Sequence, residues 1–460
     1  MRDLAYTAGL KETLTGDRDA TFVWLCNFEV EHSWAAGHPG LPAARGSATA
    51  ATVQRMEELG ALLAEPADHL LLDRPLDAGY RAYAERTGLG APAELVTAEP
   101  AGAGGTGRAV LDDPALVQRL RRLAHEGAWL MPMGNGPTEQ RVADVTGLRP
   151  AVPPPDVFQR VNSKIYSRAV AEELGLHTVP GFSCRTVGDL RRALERGPAD
   201  FGLPLIVKDA YGVSGKGLVV IDSPRKAERL LSMVERRAGR TGSDALYVVV
   251  ESFLPKRADL NYQFTVDRGG RVRLDFVKEA RTSGGVHLGH AMPAALASAQ
   301  HDTLAAAAEA LGKRLHQDGF FGVVGVDALV GADEVVYPVL EINARLNMSS
   351  YQGRVTERFL RPRGAALARH YPLRLARPVA FDEVAAALGE LAEPPEDGEG
   401  LVITCFGTVN AQAAAAPFDG RLYAVLLAAD RERLAALDRR AGDALSRLPH
   451  LAPTPGRTPA

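Results

Sequence analysis

Two short runs constrain this 460-residue chain more than any other feature. Val324-Gly325-Val326-Asp327-Ala328 is followed, after a turn at Gly331 to Glu334, by Leu340-Glu341-Ile342-Asn343-Ala344-Arg345. Both runs are apolar enough to be strands, and the turn suits a hairpin. Strand alternation puts Glu341 and Asn343 on one face with Ile342 on the other. If the strands pair, Asp327 approaches that face from its neighbour. Two carboxylates and an amide oxygen make a hard oxygen site of the kind Mg²⁺ prefers, completed by phosphate oxygens and water. Arg345 lies on the same side, able to meet a phosphate or an anionic intermediate. The plain alternative is an edge strand with solvated polar side chains. Placing such groups on strands this apolar is costly without a purpose.

A second run, Leu205-Ile206-Val207-Lys208-Asp209, leads into Ala210-Tyr211-Gly212-Val213-Ser214-Gly215-Lys216-Gly217. A strand ending in lysine and running into a glycine-rich loop can fold backbone N–H groups over a phosphate chain while Lys208 reaches its oxygens. This is not a Walker A loop, because a strand rather than a helix follows it. Read alone, it is better explained as a glycine-rich hairpin; in company with the first run it is not. A third run, Val248-Val249-Val250-Glu251-Ser252-Phe253-Leu254, is an apolar strand with an acidic end. It could pair with an adenine edge, with Asp259 or Asn261 on ribose hydroxyls, or be an ordinary core strand. Lys164 stands near the start of a helix, where a cation points toward anions rather than toward the needs of the dipole.

These four features, in this order from about Phe158 to Arg354, resemble the ATP-grasp superfamily. The resemblance implies α/β and α+β architecture: a Rossmann-like pre-ATP-grasp domain, then two α+β subdomains clamping ATP. It also implies ATP and Mg²⁺ as cofactors, with Mn²⁺ as a substitute. Lys164 and Lys208 would bind phosphates under a lid loop that includes Gly212, Ser214, Gly215 and Gly217. Glu251, Ser252, Phe253 and Leu254 would form the adenine hinge, and Asp327, Glu341 and Asn343 would hold the metal. Lys278 matches a further phosphate-side lysine. The layout, with Pro132-Met133-Gly134-Asn135-Gly136-Pro137-Thr138-Glu139 ahead of the clamp and Leu401 to Leu427 behind it, resembles the pheganomycin-type peptide ligases. In one respect the chain departs from D-alanine–D-alanine ligases, which carry an arginine two residues before the metal aspartate, where Gly325 stands here. Arg345 or Arg281 must then meet the anionic intermediate. Arg281 opens a polar loop, Arg281 to His287, that reads equally as substrate loop or plain turn.

The implied activity is carboxylate–amine ligation through an acyl phosphate, on amino acids or peptides, in specialised metabolism. A phosphotransferase, an acid–thiol ligase and a non-catalytic nucleotide-binding module are the alternatives.

Composition fits this reading. Apolar residues at 46% and charged residues at 24% describe a globular chain long enough for several domains. A net charge of −3 with scattered basic residues gives no reason to expect nucleic acid as partner. No apolar run approaches the ~20 residues of a membrane span. Met1 to Asp19 lacks an export signal's apolar core. Cys26, Cys184 and Cys405 are far apart and follow no metal spacing, so a reducing cytosol is expected. A homodimer is one assembly open to the chain, dimers being common among the ligases it resembles.

The expected division is 1–152 for the Rossmann-like domain, 153–245 and 246–370 for the two clamp subdomains, 371–448 for a C-terminal segment packed on them, and 449–460 for a disordered tail. Pro150 to Pro155 forms the first boundary. Thr138 is the expected cap of the helix that follows the glycine-rich strand end. Gly102 to Gly107 reads as a loop.

Overall fold

Short apolar runs separated by helices build the first layer. β1 (Phe22–Leu25), β2 (His69–Leu72), β3 (Ala93–Val96), β4 (Trp129–Pro132) and β5 (Arg149–Pro150) form a parallel sheet in the order β3-β2-β1-β4-β5. All four residues of β1 are fully buried, as a parallel strand covered on both faces requires. The computed structural model describes residues 6–42, 48–90, 92–102, 104–212, 217–283, 286–395, 397–414 and 416–452. Two local expectations are corrected in this layer. A helix, Gly105–Leu111, opens inside the segment expected to be a loop. The helix Pro137–Thr146 is capped at Gly136, not Thr138, because Pro137 takes the first helical position, where its missing N–H costs nothing.

The second layer is antiparallel. β6 (Gly181–Thr186), β7 (Leu205–Asp209), β8 (Leu218–Ile221) and β9 (Ala245–Ser252) pair in the order β6-β9-β7-β8. Helices Val187–Phe201 and Pro224–Thr241 supply its cover, and the sheet has its own core around Cys184, Leu205, Val207, Ile221 and Val248. β9, expected to open the next unit at 246, pairs with β6 and β7 in this sheet.

The third layer is an eight-stranded antiparallel sheet. Its strands are β10 (Lys256–Val266), β11 (Val272–Ser283), β12 (Val286–Met292), β13 (Gly322–Gly331), β14 (Val336–Asn343), β15 (Ala365–Leu375), β16 (Gly400–Cys405) and β17 (Phe418–Ala428). They run in the order β14-β13-β10-β11-β12-β15-β17-β16. The C-terminal segment therefore extends this sheet through β15 and β17. Residues 450 and 452, expected to belong to a disordered tail, are instead paired with the chain: Ala376 N–H donates to His450 O and Ala452 N–H to Arg374 O. Residues 453–460 of that tail lie outside the described ones. One large core joins the first layer, this sheet and the C-terminal strands, while the four-stranded layer packs its own. The candidate site lies between these two bodies.

Candidate active site

The register of the third sheet sets one row of side chains. Lys278 on β11 lies opposite Asn261 on β10, Asn261 opposite Asp327 on β13, and Asp327 opposite Glu341 on β14. Directly paired residues share a face, so these four side chains project together. Asp327 accepts hydrogen bonds from Asn261 Nδ2 at 2.9 Å and Asn343 Nδ2 at 3.3 Å. Burial pushes its carboxyl up to about 6, and the charge of Glu341 adds to the rise.

β14 is the edge of its sheet and leaves N–H groups to satisfy. Ile342 N–H donates to Ser167 Oγ at 3.0 Å, and Ala344 N–H to Asn162 Oδ1 at 2.9 Å. Helix Lys164–Glu173 is thereby fastened along β14. Its first residue, Lys164, reaches Glu341 Oε1 at 2.5 Å and Gly212 O at 2.7 Å. Sequence reading singled out Lys164 but passed over Asn162 and Ser167. Their role comes from side chain to backbone bonds across the fold, and no local pattern signals it.

On the four-stranded layer, Lys208 Nζ bonds Glu251 Oε2 at 2.6 Å, and Arg168 Nη1 lies 3.4 Å from Glu251 Oε1. Glu251 is buried between these two cations, so its carboxylate is not turned outward to accept from an adenine amine. At the end of β9, Ser252 and Phe253 donate their N–H groups to Pro180 O and Pro204 O, and Phe253 is 46% exposed beside Leu254. Asn261, expected near a ribose, is instead committed to Asp327. Asp259 is held by Lys256 Nζ at 2.7 Å. Of the loop residues, Gly212 and Gly217 are described; Ser214 and Gly215 lie outside the described residues.

The two candidate arginines part company. Arg345 bonds Asn343 Oδ1 through Nη2 at 2.9 Å and is ion-paired with Glu31 of the first layer. Arg281 is exposed and, three residues from Lys278 on an alternating strand, points to the other face. Lys278 is fully buried, bonds Ser349 O at 3.1 Å and Gln352 Oε1 at 3.0 Å, and is lowered to about 7 by burial. Glu31 and Trp34 join Asn162, Tyr211, Gly212, Glu341 and Asn343 around one small pocket. Neither Glu31 nor Trp34 was read as a site residue, because they enter from a separate domain.

Among the described residues no group of three or more His, Cys, Asp or Glu side chains forms a metal cluster. The donor set here is two adjacent carboxylates and an amide. Lys164, Asn261 and Asn343 now supply the positive charge and N–H groups that these carboxylates demand. A divalent cation would fit that demand, with Asp327, Glu341 and Asn343 as the residues that would hold it.

Comparison with known proteins finds two domain matches along the chain. Residues 56–148 match the pre ATP-grasp domain, and residues 163–358 match the ATP binding domain of the carbamoyl-phosphate synthase L chain. The butirosin acyl-carrier protein–L-glutamate ligase of Niallia circulans is 29% identical over 195 residues, covering 42% of this chain and 45% of that protein. The carbamoyl phosphate synthase large chain of Ralstonia nicotianae is 26% identical over 195 residues, covering 42% and 17%. The chain thus spans less than half the length of these curated relatives. Among solved structures, N5-carboxyaminoimidazole ribonucleotide synthetase from Thermus thermophilus aligns over 93% of this chain and 99% of its own, with TM-score 0.54 and 16% identity. Biotin carboxylase from Campylobacter jejuni aligns over 84% and 86%, with TM-score 0.52 and 14% identity. With its pre ATP-grasp domain ahead of an ATP binding domain, the chain belongs to the ATP-grasp superfamily.

Proposed function

We propose that this protein is an ATP-dependent carboxylate–amine ligase that works through an acyl phosphate. The observation that carries the reading is the convergence of Asp327, Glu341 and Asn343 with Lys164. The butirosin relative, a glutamate ligase by name, supports an amino acid as one substrate and a place in specialised metabolism.

A carboxylate is a poor electrophile, so its oxygen first attacks the γ-phosphorus of ATP, and the bond to the bridging oxygen of ADP breaks. The amine nitrogen then attacks the carbonyl carbon of the acyl phosphate. The carbon–oxygen bond to phosphate breaks, phosphate leaves with the electron pair, and the amine proton passes to solvent. Lys164 and Lys208 neutralise the phosphate chain, and Arg345 stands where negative charge develops. Asp327, Glu341 and Asn343 would hold Mg²⁺, which when bound offsets the charge on the transferring phosphoryl group.

The test is ADP release from ATP and Mg²⁺ in the presence of amino-acid carboxylates and amines. Release that requires both substrates is the expected result; release that needs only one overturns the assignment.

A further inference from the structure

Asn347 follows the metal-side strand and caps the short helix Met348–Tyr351. Its Oδ1 accepts from Ser349 N–H at 2.9 Å, and its own N–H donates to Ser350 Oγ at 3.0 Å. The cap fixes the amide orientation, because the oxygen must face the helix. Nδ2 is then turned the other way, and it has no hydrogen-bond partner although the residue is only 8% exposed.

The place it occupies is informative. A Cβ built on Gly325 would collide with Asn347 Nδ2 and lie 3.1 Å from its Cγ. Gly325 is paired with Asn343 and precedes Asp327 by two residues, so the missing side chain belongs to the face of the metal row. Asn347 therefore fills the space that Gly325 leaves, and its N–H groups stand on the catalytic face. Nearby, Arg345 Nε and Asn261 Oδ1 are also buried without partners. A buried donor left unmade costs roughly 1–3 kcal/mol, which a fold keeps where a ligand supplies the acceptor.

We propose that Asn347 Nδ2 is the neutral donor that receives an oxygen of the substrate carboxylate and then the oxyanion formed as the amine attacks. Glycine at 325 is the condition for its placement. This rests on the ligase reading above. It assigns the anionic intermediate a fixed amide dipole in addition to the guanidinium of Arg345, which Glu31 already engages.

The experiment uses the full chain with ATP, Mg²⁺ and the amino-acid and amine panel. Asn347→Asp keeps the cap acceptor and removes the donor. Gly325→Ala keeps Asn347 and displaces its amide. Each is expected to bind a fluorescent ATP analogue within about twofold of wild type and to lose about 10²–10³-fold in kcat. An Asn347→Asp variant that keeps nucleotide affinity and carboxylate-dependent kcat within about threefold overturns the proposal and leaves the ligase reading standing. If wild type releases no ADP in response to any carboxylate, both fall together. Asn347→Ser, which caps but cannot reach the Gly325 space, is expected to match Asn347→Asp; wild-type kcat in Asn347→Ser also overturns the proposal.

Discussion

Glu31 of the first domain and Arg345, just past the end of β14, form an ion pair in which each side chain is 14% exposed. The Arg345 guanidinium is thus positioned by a carboxylate from another domain. Removing one partner of a largely buried pair leaves the other charge uncompensated. Glu31→Gln keeps the shape and removes the charge, and it is expected to lower unfolding stability by about 1–3 kcal/mol. A shift of the urea midpoint without a change in slope measures it; an unshifted midpoint would show that Arg345 needs no partner there.

Glu341 faces Asp327 across the strand pair and holds Lys164 at 2.5 Å. Glu341→Gln retains the size and removes the charge that both a metal and Lys164 require. Turnover is expected to fall at least about 10²-fold. Steady-state ADP release checks this, and a variant with more than a tenth of wild-type activity would place the metal elsewhere.

The convergence of Asp327, Glu341 and Asn343 was legible in the sequence because their residue types and the strand period coincide. Asp327, Glu341 and Asn343 sit on apolar strands joined by a recognisable hairpin, and alternation alone assigns their face. What escaped reading depends on partners remote in sequence. Asn261 looked like a ribose ligand only because its neighbour β13 could not be registered against β10. Glu251 looked like an adenine partner until Lys208 and Arg168 met its carboxylate. β15 was missed because Pro372 and two arginines disguise its alternation. In the fold, β12 pairs with β15 only at residues 366–369, so Pro372 lies on a free edge where its missing N–H is tolerated.

Lys278 gives a pH signature. Its folded pKa, about 7, lies below the ordinary lysine value, so the unfolded chain holds its proton more tightly. Between pH 7 and about 10 the unfolded state binds more protons at this residue, and stability from this group rises with pH across that window. Lys278→Met removes the effect. The variant is expected to gain stability relative to wild type at pH 7 and to lose that advantage toward pH 10. Urea unfolding at pH 7, 8.5 and 10 measures the difference, and a gap that does not narrow with pH would mean that Lys278 is charged and paired in the fold.

Leu41 belongs by sequence to the first domain, yet its side chain is buried in the core of the four-stranded layer. The segment around it is fastened at several points. Pro39 O accepts from Tyr247 N–H at 2.8 Å, Leu41 N–H donates to the Asp209 carboxylate, Gly40 O accepts from Arg237, and the His38 ring packs 4.7 Å from that of Tyr247. Three of these contacts fall on β7 and β9, the strands that carry Lys208 and Glu251, and the one to Arg237 falls on the helix Pro224–Thr241 that covers them. Leu41→Ala removes the apolar anchor and leaves the polar ones, at a cost of about 2–4 kcal/mol. That cost is local, since the four-stranded layer packs its own core. Hydrogen exchange is therefore expected to quicken in β7, β8 and β9 while β1 and β4 keep their protection. The Lys208–Glu251 pair would lose its fixed position, and KM for ATP is expected to rise several-fold. Exchange that quickens equally in every layer would show that Leu41 supports the whole molecule, and the first domain would then have no separate hold on the strand that carries Lys208.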